Sequence, residues 1–598
     1  MTSVFISNGA AESPWHLNGF NQIGGNNRAS GHIYINTGSN EHVPAIYALE
    51  HEYMLVFGTP AIDGKIVCDA GRATELVSRL DTSPEEVDSV FVILLYSKSC
   101  GSCRIITDRF GFFTIYYSQT KYGILFSTCF QTLTELLKSV GDVTLNKSQM
   151  FEFLWFRRLY GNKTYVDQIS VIAPASILKT RVGKISSEMQ YWTPKKAEVS
   201  GYSTEDYVSM IASSLTDSVN MLLSNDTKPG LMLSGGLDSR ALLAIGKERY
   251  ISITNTVQKN NEFEIASRLA ELVGSEHHHL KRPINYLDQI IGEALKQSNG
   301  STIFYECQFL GYIGEILSLV SELHLGLFLD IFFCGHYMPK KHPKFGSRHA
   351  LFFLMDRLPN QNLSTYFMNN VSYRQKNTNL EMMMSRKTYS DNYSFLRSKI
   401  DDIFNLADDN FSDIERWEYC HLTNIGRHYS SLMASSLLPY MRVSLPALTI
   451  DNYNLAFSLP VEKKKNWSVY IQALNKLDGR MMAVRNSNTN IRAGSSLYSQ
   501  TAIKVLRGLY NVVSPGAFIT SPEYQDRSWP SVKESIIHNP EVRSMIEQTI
   551  EQGRIMDIGL VNKKPVKKLY EMTLLNEQDH SIFLNQLLTL EYGLLNYL

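Results

Sequence analysis

Ser234-Gly235-Gly236-Leu237-Asp238-Ser239 follows the short apolar run Gly230-Leu231-Met232-Leu233 and precedes the helix-like run Arg240-Ala241-Leu242-Leu243-Ala244. A strand, a glycine turn and a helix start in that order make an anion cradle. Backbone N–H groups at a helix N-terminus point at the ligand, and the helix dipole favours negative charge there. Gly235 and Gly236 let the backbone approach a phosphate with no Cβ in the way. Ser234 and Ser239 add hydroxyl donors. Asp238 is the odd member, because a carboxylate repels phosphate unless a divalent cation lies between them. The run therefore implies a nucleotide with Mg2+. It is not the Walker A pattern, which ends in Gly-Lys-Ser/Thr.

Working outward, the strand-like run from Tyr250 to Val257, the helix-like run Glu262–Val273 and the short strand His277–Leu280 follow in turn. This alternation predicts an α/β domain with a parallel sheet and helices on both faces. Ligands in such sheets bind at the carboxyl ends of strands, where the Ser234–Ser239 run sits. Upstream, residues 1 to about 40 are rich in Gly, Asn and Ser and read as irregular. Short strands with one helix, Glu75–Leu80, are predicted from about 43 to 130, and Asp108-Arg109-Phe110-Gly111 lies between two of them. A helix over Gln131–Leu137 and closing strands near Thr164–Val166, Val171–Pro174, Ile177–Lys179 and Tyr191-Trp192 complete this unit. The polar stretch Lys195 to Thr204 marks a boundary, with Ser203 or Thr204 capping a helix that runs to about Leu223. Beyond about 350 the chain reads as mainly helical. Three units are expected: 1–200, 201–495 and a helical extension over 496–598.

A chain of 598 residues is too long for one core. Its 44% hydrophobic and 19% charged residues suit an ordered globular protein. Lys plus Arg equals Asp plus Glu, 58 each, so no global field draws it to nucleic acid or anionic membrane. The most apolar region, Gly311 to Met338, is broken by Glu315, Glu322, His324 and Asp330 and reads as a buried helix and strand, not a membrane span. No signal peptide is read at the N-terminus, and seven cysteines in so long a chain make no disulfide framework, so a cytoplasmic protein is expected. Cys100-Gly-Ser-Cys103 reads as the tip of a hairpin, since no second pair completes a zinc site. His277-His278-His279 lies on a strand, where three consecutive side chains cannot face one ion.

The Ser234–Ser239 run resembles the pyrophosphate loop of the N-type ATP pyrophosphatases, which cleave ATP to AMP and pyrophosphate. The order of segments resembles asparagine synthetase and its relatives. Asp108-Arg109-Phe110-Gly111, then Tyr116-Tyr117 and Phe126-Ser127, resemble the signature of the glutamine amidotransferase domain that precedes the synthetase domain in that family. Glu262–Ala266, Ala270 and His277 resemble the family's next helix and its following His. Leu325-Gly326-Leu327-Phe328-Leu329-Asp330 sits where the family has a glycine-rich loop ending in Asp, and Pro446–Asp451 with Leu459-Pro460 resembles its late Pro-Phe-Leu-Asp … Leu-Pro segment. The likeness covers about residues 45 to 490. It implies an N-terminal Ntn-hydrolase-like αββα sandwich, then a Rossmann-like α/β/α ATP-pyrophosphatase domain with a helical C-terminal part. It also implies ATP and Mg2+ as cofactors, with Asp238 and Asp330 on the metal and Leu233, Thr256 and Gly326 bordering adenine and ribose. Two carboxylates from separate strand ends can share a hard cation, which offsets charge on the leaving pyrophosphate.

The sequence departs from that pattern in three places. Glutamine-using members carry a Cys directly after the initiator Met; here Thr2 and Ser3 stand there and the first cysteine is Cys68. Thr2 could serve as an N-terminal nucleophile only if exposed by loss of Met1, and the expected domain is an inactive remnant. Leu327 replaces the loop Glu of asparagine synthetases and the Tyr of β-lactam-forming relatives. The late lysine that contacts phosphate is missing. Arg485 or Arg492 is the expected replacement, with Lys463, Lys464 and Lys465 as alternatives on what is ordinarily a solvated face. The expected activity is an ATP-dependent amide ligase that adenylates a small-molecule, sugar or peptide carboxylate and passes it to ammonia or an amine. A separate ammonia source and a homodimer fit that reading. The alternatives are a macrocycle-forming synthetase of the lasso-peptide or β-lactam type, and a non-catalytic scaffold.

Overall fold

The computed structural model describes residues 2–7, 21–26, 31–37, 45–121, 123–139, 141, 143–181, 184–195, 201–223, 228–345, 348–358, 362–513, 528 and 531–598. Five parallel strands form one sheet in the order Glu276–Lys281, Ile251–Thr256, Gly230–Met232, Glu322–His324 and Arg442–Ser444. The chain starts this sheet in the middle, at Gly230–Met232, and winds outward to one side. It then returns to the other side of the same strand. The reversal falls between Gly230–Met232 and Glu322–His324, whose residues are all buried. Strands covered on both faces read as apolar runs, which is why the Gly230–Leu233 stretch was legible.

The helices around this sheet begin and end where local chemistry says they should. Ser203 caps Thr204–Leu222 in a reciprocal box with Asp206. Asn260 caps Asn261–Val273, and Gly274, in the left-handed region at φ 71, ends it. On the edge strand His277 and His279 point the same way, to the Thr254 and Thr256 hydroxyls at 2.8 Å each, while His278 turns to Glu276. The histidine run is a strand with alternating faces and has no metal-ligand geometry.

The N-terminal part holds two six-stranded sheets in which every pairing is antiparallel. The expectation of irregular chain up to about residue 40 is corrected here: Thr2–Ser7, Asn21–Asn26 and Gly31–Thr37 are strands. Their partners explain the miss. Val4 pairs with Phe126, far along the chain, and the Asn21–Asn26 strand shifts register between Gln22 and Gly24. Long-range pairing and a glycine-containing irregularity leave little local signal. The Thr2 side chain lies outside the described residues. Helix Ala70–Thr82 packs Ala73, Leu76 and Leu80 on Met54, Val56, Ile93 and Leu95 of one sheet face; the other face turns Leu55, Val92, Leu94 and Ile105 into the main core. Cys100 sits at an exposed hairpin tip between Phe91–Ser97 and Cys103–Thr107, with Cys103 buried. The closing strands are Ser170–Val171, Ser176–Arg181 and Lys184–Gln190, so Tyr191 and Trp192 fall just after the last one.

The Asp108–Gly111 turn joins this part to the rest. Asp108 is fully buried and accepts from the N–H groups of Phe91, Phe110 and Gly111 at 2.7–2.8 Å. Burial still pushes its carboxyl up to about 6. The Phe110 carbonyl accepts from Gly426 N–H at 3.1 Å, and Asp88 accepts from Ile450 N–H at 2.7 Å. The C-terminal helices share the same core. Ser581–Gly593 buries Leu584, Leu587 and Leu588, and Gln586 donates to the Phe153 carbonyl in helix Lys147–Phe156. The extension is thus a buttress between the N-terminal part and the parallel-sheet domain.

No Cβ fits at Gly426: one would stand 2.0 Å from the Gly111 carbonyl oxygen, a backbone atom that cannot turn aside. Gly426→Ala is expected to lower stability by about 2–3 kcal/mol through forced separation of the two turns. Gly292→Ala meets nothing within 4 Å on an exposed helical face and is expected to gain about 0.5–1 kcal/mol. Denaturant midpoints of the two variants, compared with the parent, check both signs.

Candidate functional site

At the sheet reversal the loops after Gly230–Met232 and Glu322–His324 close on one cleft of about 500 Å³. Strand order alone places it, since neighbouring loops that wind to opposite sides leave a crevice between them. The first loop is held by its own serines. Ser239 Oγ lies 3.1 Å from Ser234 N and 3.0 Å from Ser234 Oγ, and Gly236 N–H donates to Ser234 Oγ at 3.2 Å. Asp238 then opens helix Asp238–Gly246, in the turn whose N–H groups face the cleft. Gly236, Leu237 and Asp238 line the cleft together with Ser234 and Ser239.

The second loop must pass against the first with no side chain between. At Gly326 an added Cβ would lie 2.8 Å from Ser239 N and 2.9 Å from the Asp238 carbonyl carbon. That contact brings Asp330 beside Asp238, and the Asp330 N–H donates to the Asp238 carboxylate. The loop's last turn uses Phe328 at φ 77, a conformation that ordinarily favours glycine. Burial of the Phe328 ring, edge-on to His428 at 6.1 Å, holds it there. Leu329 and Ile331–Phe333 are buried around the half-exposed Asp330. His336 Nδ1 lies 3.2 Å from the Asp330 carboxylate, and Asp238 accepts from the Tyr470 hydroxyl at 2.9 Å. Burial, with the Asp330 charge beside it, pushes the Asp238 carboxyl well above the usual carboxylate range. Two carboxylates so placed are costly alone and well matched to a cation between them.

The third wall comes from the C-terminal side. Arg240, 1% exposed, donates to five carbonyls and to no carboxylate: Gly235 at 3.0 Å, Gly236 at 3.3 Å, Met481 at 2.8 Å, Val484 at 3.0 Å and Arg485 at 2.8 Å. It ties the glycine loop to the turn that presents Asn486, Ser487 and Asn488 to the cleft. Gly235 packs under Ser487, where a Cβ would come within 2.5 Å of the serine Cβ. Glu262 lines the far side, with burial raising its carboxyl and the Gly235 N–H on it.

Of the residues expected at the site, Leu233, Ser234, Gly236, Asp238, Ser239, Gly326 and Asp330 line the cleft, and Gly235 lies under it. Thr256 does not. Strand alternation turns Ile253 and Asn255 to the cleft, and the Thr256 hydroxyl goes to His279 and the Gln258 carbonyl. Arg485 stands one residue outside the lining, exposed, with Nη1 3.5 Å from Asn490 Oδ1, and Arg492 bridges to it across the same turn. The lysine run is no solvated face: Lys464 is fully buried on Glu418 and the Ala456 carbonyl at 2.6 Å each, and Lys463 reaches Thr204. Tyr470, His336, Asn255 and Trp467 also line the cleft and carried no sequence signal, since none belongs to a motif. Arg240→Met leaves five carbonyls without their donor, four of them at 2.8–3.0 Å from one buried Nη pair. It is expected to cost about 3–5 kcal/mol, whereas Arg485→Met, at the exposed end of the same turn, is expected to stay within about 0.5 kcal/mol; equilibrium unfolding measures both.

Residues 210–291, from helix Thr204–Leu222 through the glycine loop to helix Tyr286–Gln297, match the asparagine synthase family. Asparagine synthetase [glutamine-hydrolyzing] 1 of Bacillus subtilis is 22% identical over 204 residues, which is 33% of this chain and 31% of that protein. The chain thus spans about a third of the length of the curated relative it matches. A solved structure of the allosteric regulatory enzyme of purine biosynthesis aligns with 43% of this chain and 68% of its own at 8% identity, with a TM-score of 0.19. Motif, matched segment and homologue agree, and the parallel-sheet domain is asparagine synthetase-like.

Proposed function

We propose that the protein is an ATP-dependent amide-forming ligase that activates a carboxylate as an acyl-adenylate, releases pyrophosphate and passes the acyl group to ammonia or an amine. The observation that carries this reading is the pairing of Asp238 and Asp330 at the strand reversal, directly beside the glycine loop. Mg2+ bound by those two carboxylates would supply charge neutralisation at the leaving pyrophosphate. Among the described residues no group of three or more His, Cys, Asp or Glu forms a complete metal cage. A Mg2+ ion there would keep waters and take further oxygens from phosphate. Ser234 and the N–H groups at the start of helix Asp238–Gly246 bind phosphate oxygens. Tyr470 fixes the Asp238 carboxylate, and His336 fixes Asp330. Leu233, Ile253 and Asn255 form the edge that receives the base.

Leu327, Phe309, Met433 and Trp467 give the cleft apolar walls, and the described lining contains no Lys or Arg. A free amino acid would bring a second carboxylate with no cation to meet it, which costs several kcal/mol on burial. The favoured substrate is therefore a carboxylate carried on an otherwise uncharged body, such as a peptide or a sugar acid. The N-terminal part, read as a sandwich related to the amidotransferase domain, then serves as a docked wall, and nitrogen arrives from solution or from another protein.

With ATP and Mg2+, peptide or uronic-acid carboxylates should release pyrophosphate while free aspartate should not. Asp238→Ala is expected to lower that rate by at least a hundredfold with the fold unchanged. A pyrophosphate-release assay over a carboxylate panel checks this; release with free aspartate alone would reverse the substrate assignment. No release with any carboxylate, together with no ATP binding, would end the ligase reading.

A further inference from the structure

Although the whole chain is balanced at 58 basic and 58 acidic residues, two of its stretches are free of acid. Ile331–Met355 holds Lys340, Lys341, Lys344 and Arg348, and Gly479–Pro522 holds Arg480, Arg485, Arg492, Lys504 and Arg507. The fold lays His349–Phe352 of the first beside Tyr498–Lys504 of the second. Leu351 N–H donates to Thr501 Oγ1 at 2.9 Å, and the Phe352 ring stacks on Tyr498 at 4.6 Å. Lys504 reaches the His349 carbonyl at 3.5 Å. Asp356 and Asp478, just beyond the two stretches, pair with Lys341 and Arg480. Asp330 and Glu523 border the other two ends, so four acids stand against the nine basic residues, an excess of five, with Lys340 turned inward to the Gly335 carbonyl and the Phe353 ring.

The same face is apolar. Helix Leu497–Val513 buries Leu497, Gln500 and Thr501 inward. Outward, at helical spacing, it carries Tyr498, Ala502, Leu506 and Leu509, with Tyr498 53%, Leu506 64% and Leu509 61% exposed. Beside it the short strands Lys344–Phe345 and Leu354–Met355 expose Phe345 and Leu354 at 48% and 49%. A basic rim around an apolar helical stripe is the physical pattern of a helix that lies in a lipid interface, its apolar side among acyl chains and its cations at the headgroups.

We propose that this face docks the protein on an anionic lipid surface. Charge complementarity selects that occupant. Two copies of this chain meeting through the face would set like charges together, which opposes self-association. The helix is also hydrogen-bonded to the turn that lines the cleft, through Gln500 to Thr489 and Arg507 to the Thr489 carbonyl. Docking would therefore hold the cleft mouth close to the headgroups. This inference concerns location and stands apart from the ligase reading.

The test is co-sedimentation of the full-length protein with phosphatidylcholine vesicles, with and without phosphatidylglycerol. Partitioning is expected on the anionic vesicles alone, and it should fall as salt is raised. Leu506→Asp with Leu509→Asp, and separately Lys344→Glu with Lys504→Glu, should each cut the partition coefficient at least tenfold, while Leu575→Asp, on an exposed site of helix end Lys563–Leu574, should leave it unchanged. Circular dichroism confirms that each variant is folded, and the salt dependence of the unaltered protein carries the test where a variant is not. No partitioning, equal partitioning on neutral vesicles, or binding that survives both double substitutions would overturn the proposal. So would a concentration-dependent dimer abolished by Leu506→Asp, or binding to an acidic peptide without binding to vesicles.

Discussion

The backbone contact at Gly326 is the constraint on which the rest of the site depends. Two loops leave adjacent parallel strands in opposite senses, and they can share one cleft only if they pass within van der Waals distance. Glycine is the one residue that lets Gly326 lie against the Asp238 and Ser239 backbone. Once they touch, the Asp330 N–H meets the Asp238 carboxylate, and the half-exposed Asp330 charge stands beside a buried acid. That arrangement is unfavourable without a cation, which is why it points to a reaction with one.

Arg240 serves the same geometry from the other side. A guanidinium spent on five carbonyls contributes no ion pair. It fixes three backbone segments that would otherwise be independent: the glycine loop, the end of helix Ser468–Ala483 and the turn after it. Tyr470, in that helix, then reaches Asp238. Glycine loop, carboxylates and the Asn486–Asn488 wall are thus one mechanical unit, buttressed by the N-terminal sheets and the C-terminal helices through the shared core.

Much of this was legible in the chain. The alternation of apolar runs around Gly230–Leu280 gave the parallel sheet, because strands buried on both faces and capped helices leave strong local patterns. Ser234–Ser239 located the cleft, and Asp330 stood out by its apolar flanks. Four things were not legible, each for a physical reason. The first strands were hidden because their pairing is long-range and their composition is that of loops. Thr256 was expected there by family likeness alone, and the strand phase that turns its neighbour Asn255 to the cleft shows only in three dimensions. Lys464 looked like a solvated charge because nothing in a lysine run announces a buried partner such as Glu418. Tyr470 and His336 approach the carboxylates from separate parts of the fold, so no spacing rule could have paired them.

The central claim is that Asp238 and Asp330 jointly hold a divalent cation against a nucleotide. Calorimetric titration of ATP into the protein, with and without Mg2+, tests it most directly. The account predicts that binding requires Mg2+ and that Asp238→Asn and Asp330→Asn each weaken it at least tenfold, about 1.4 kcal/mol or more, with unchanged circular dichroism. ATP binding that is equally tight without Mg2+, or that survives both substitutions together, would contradict it.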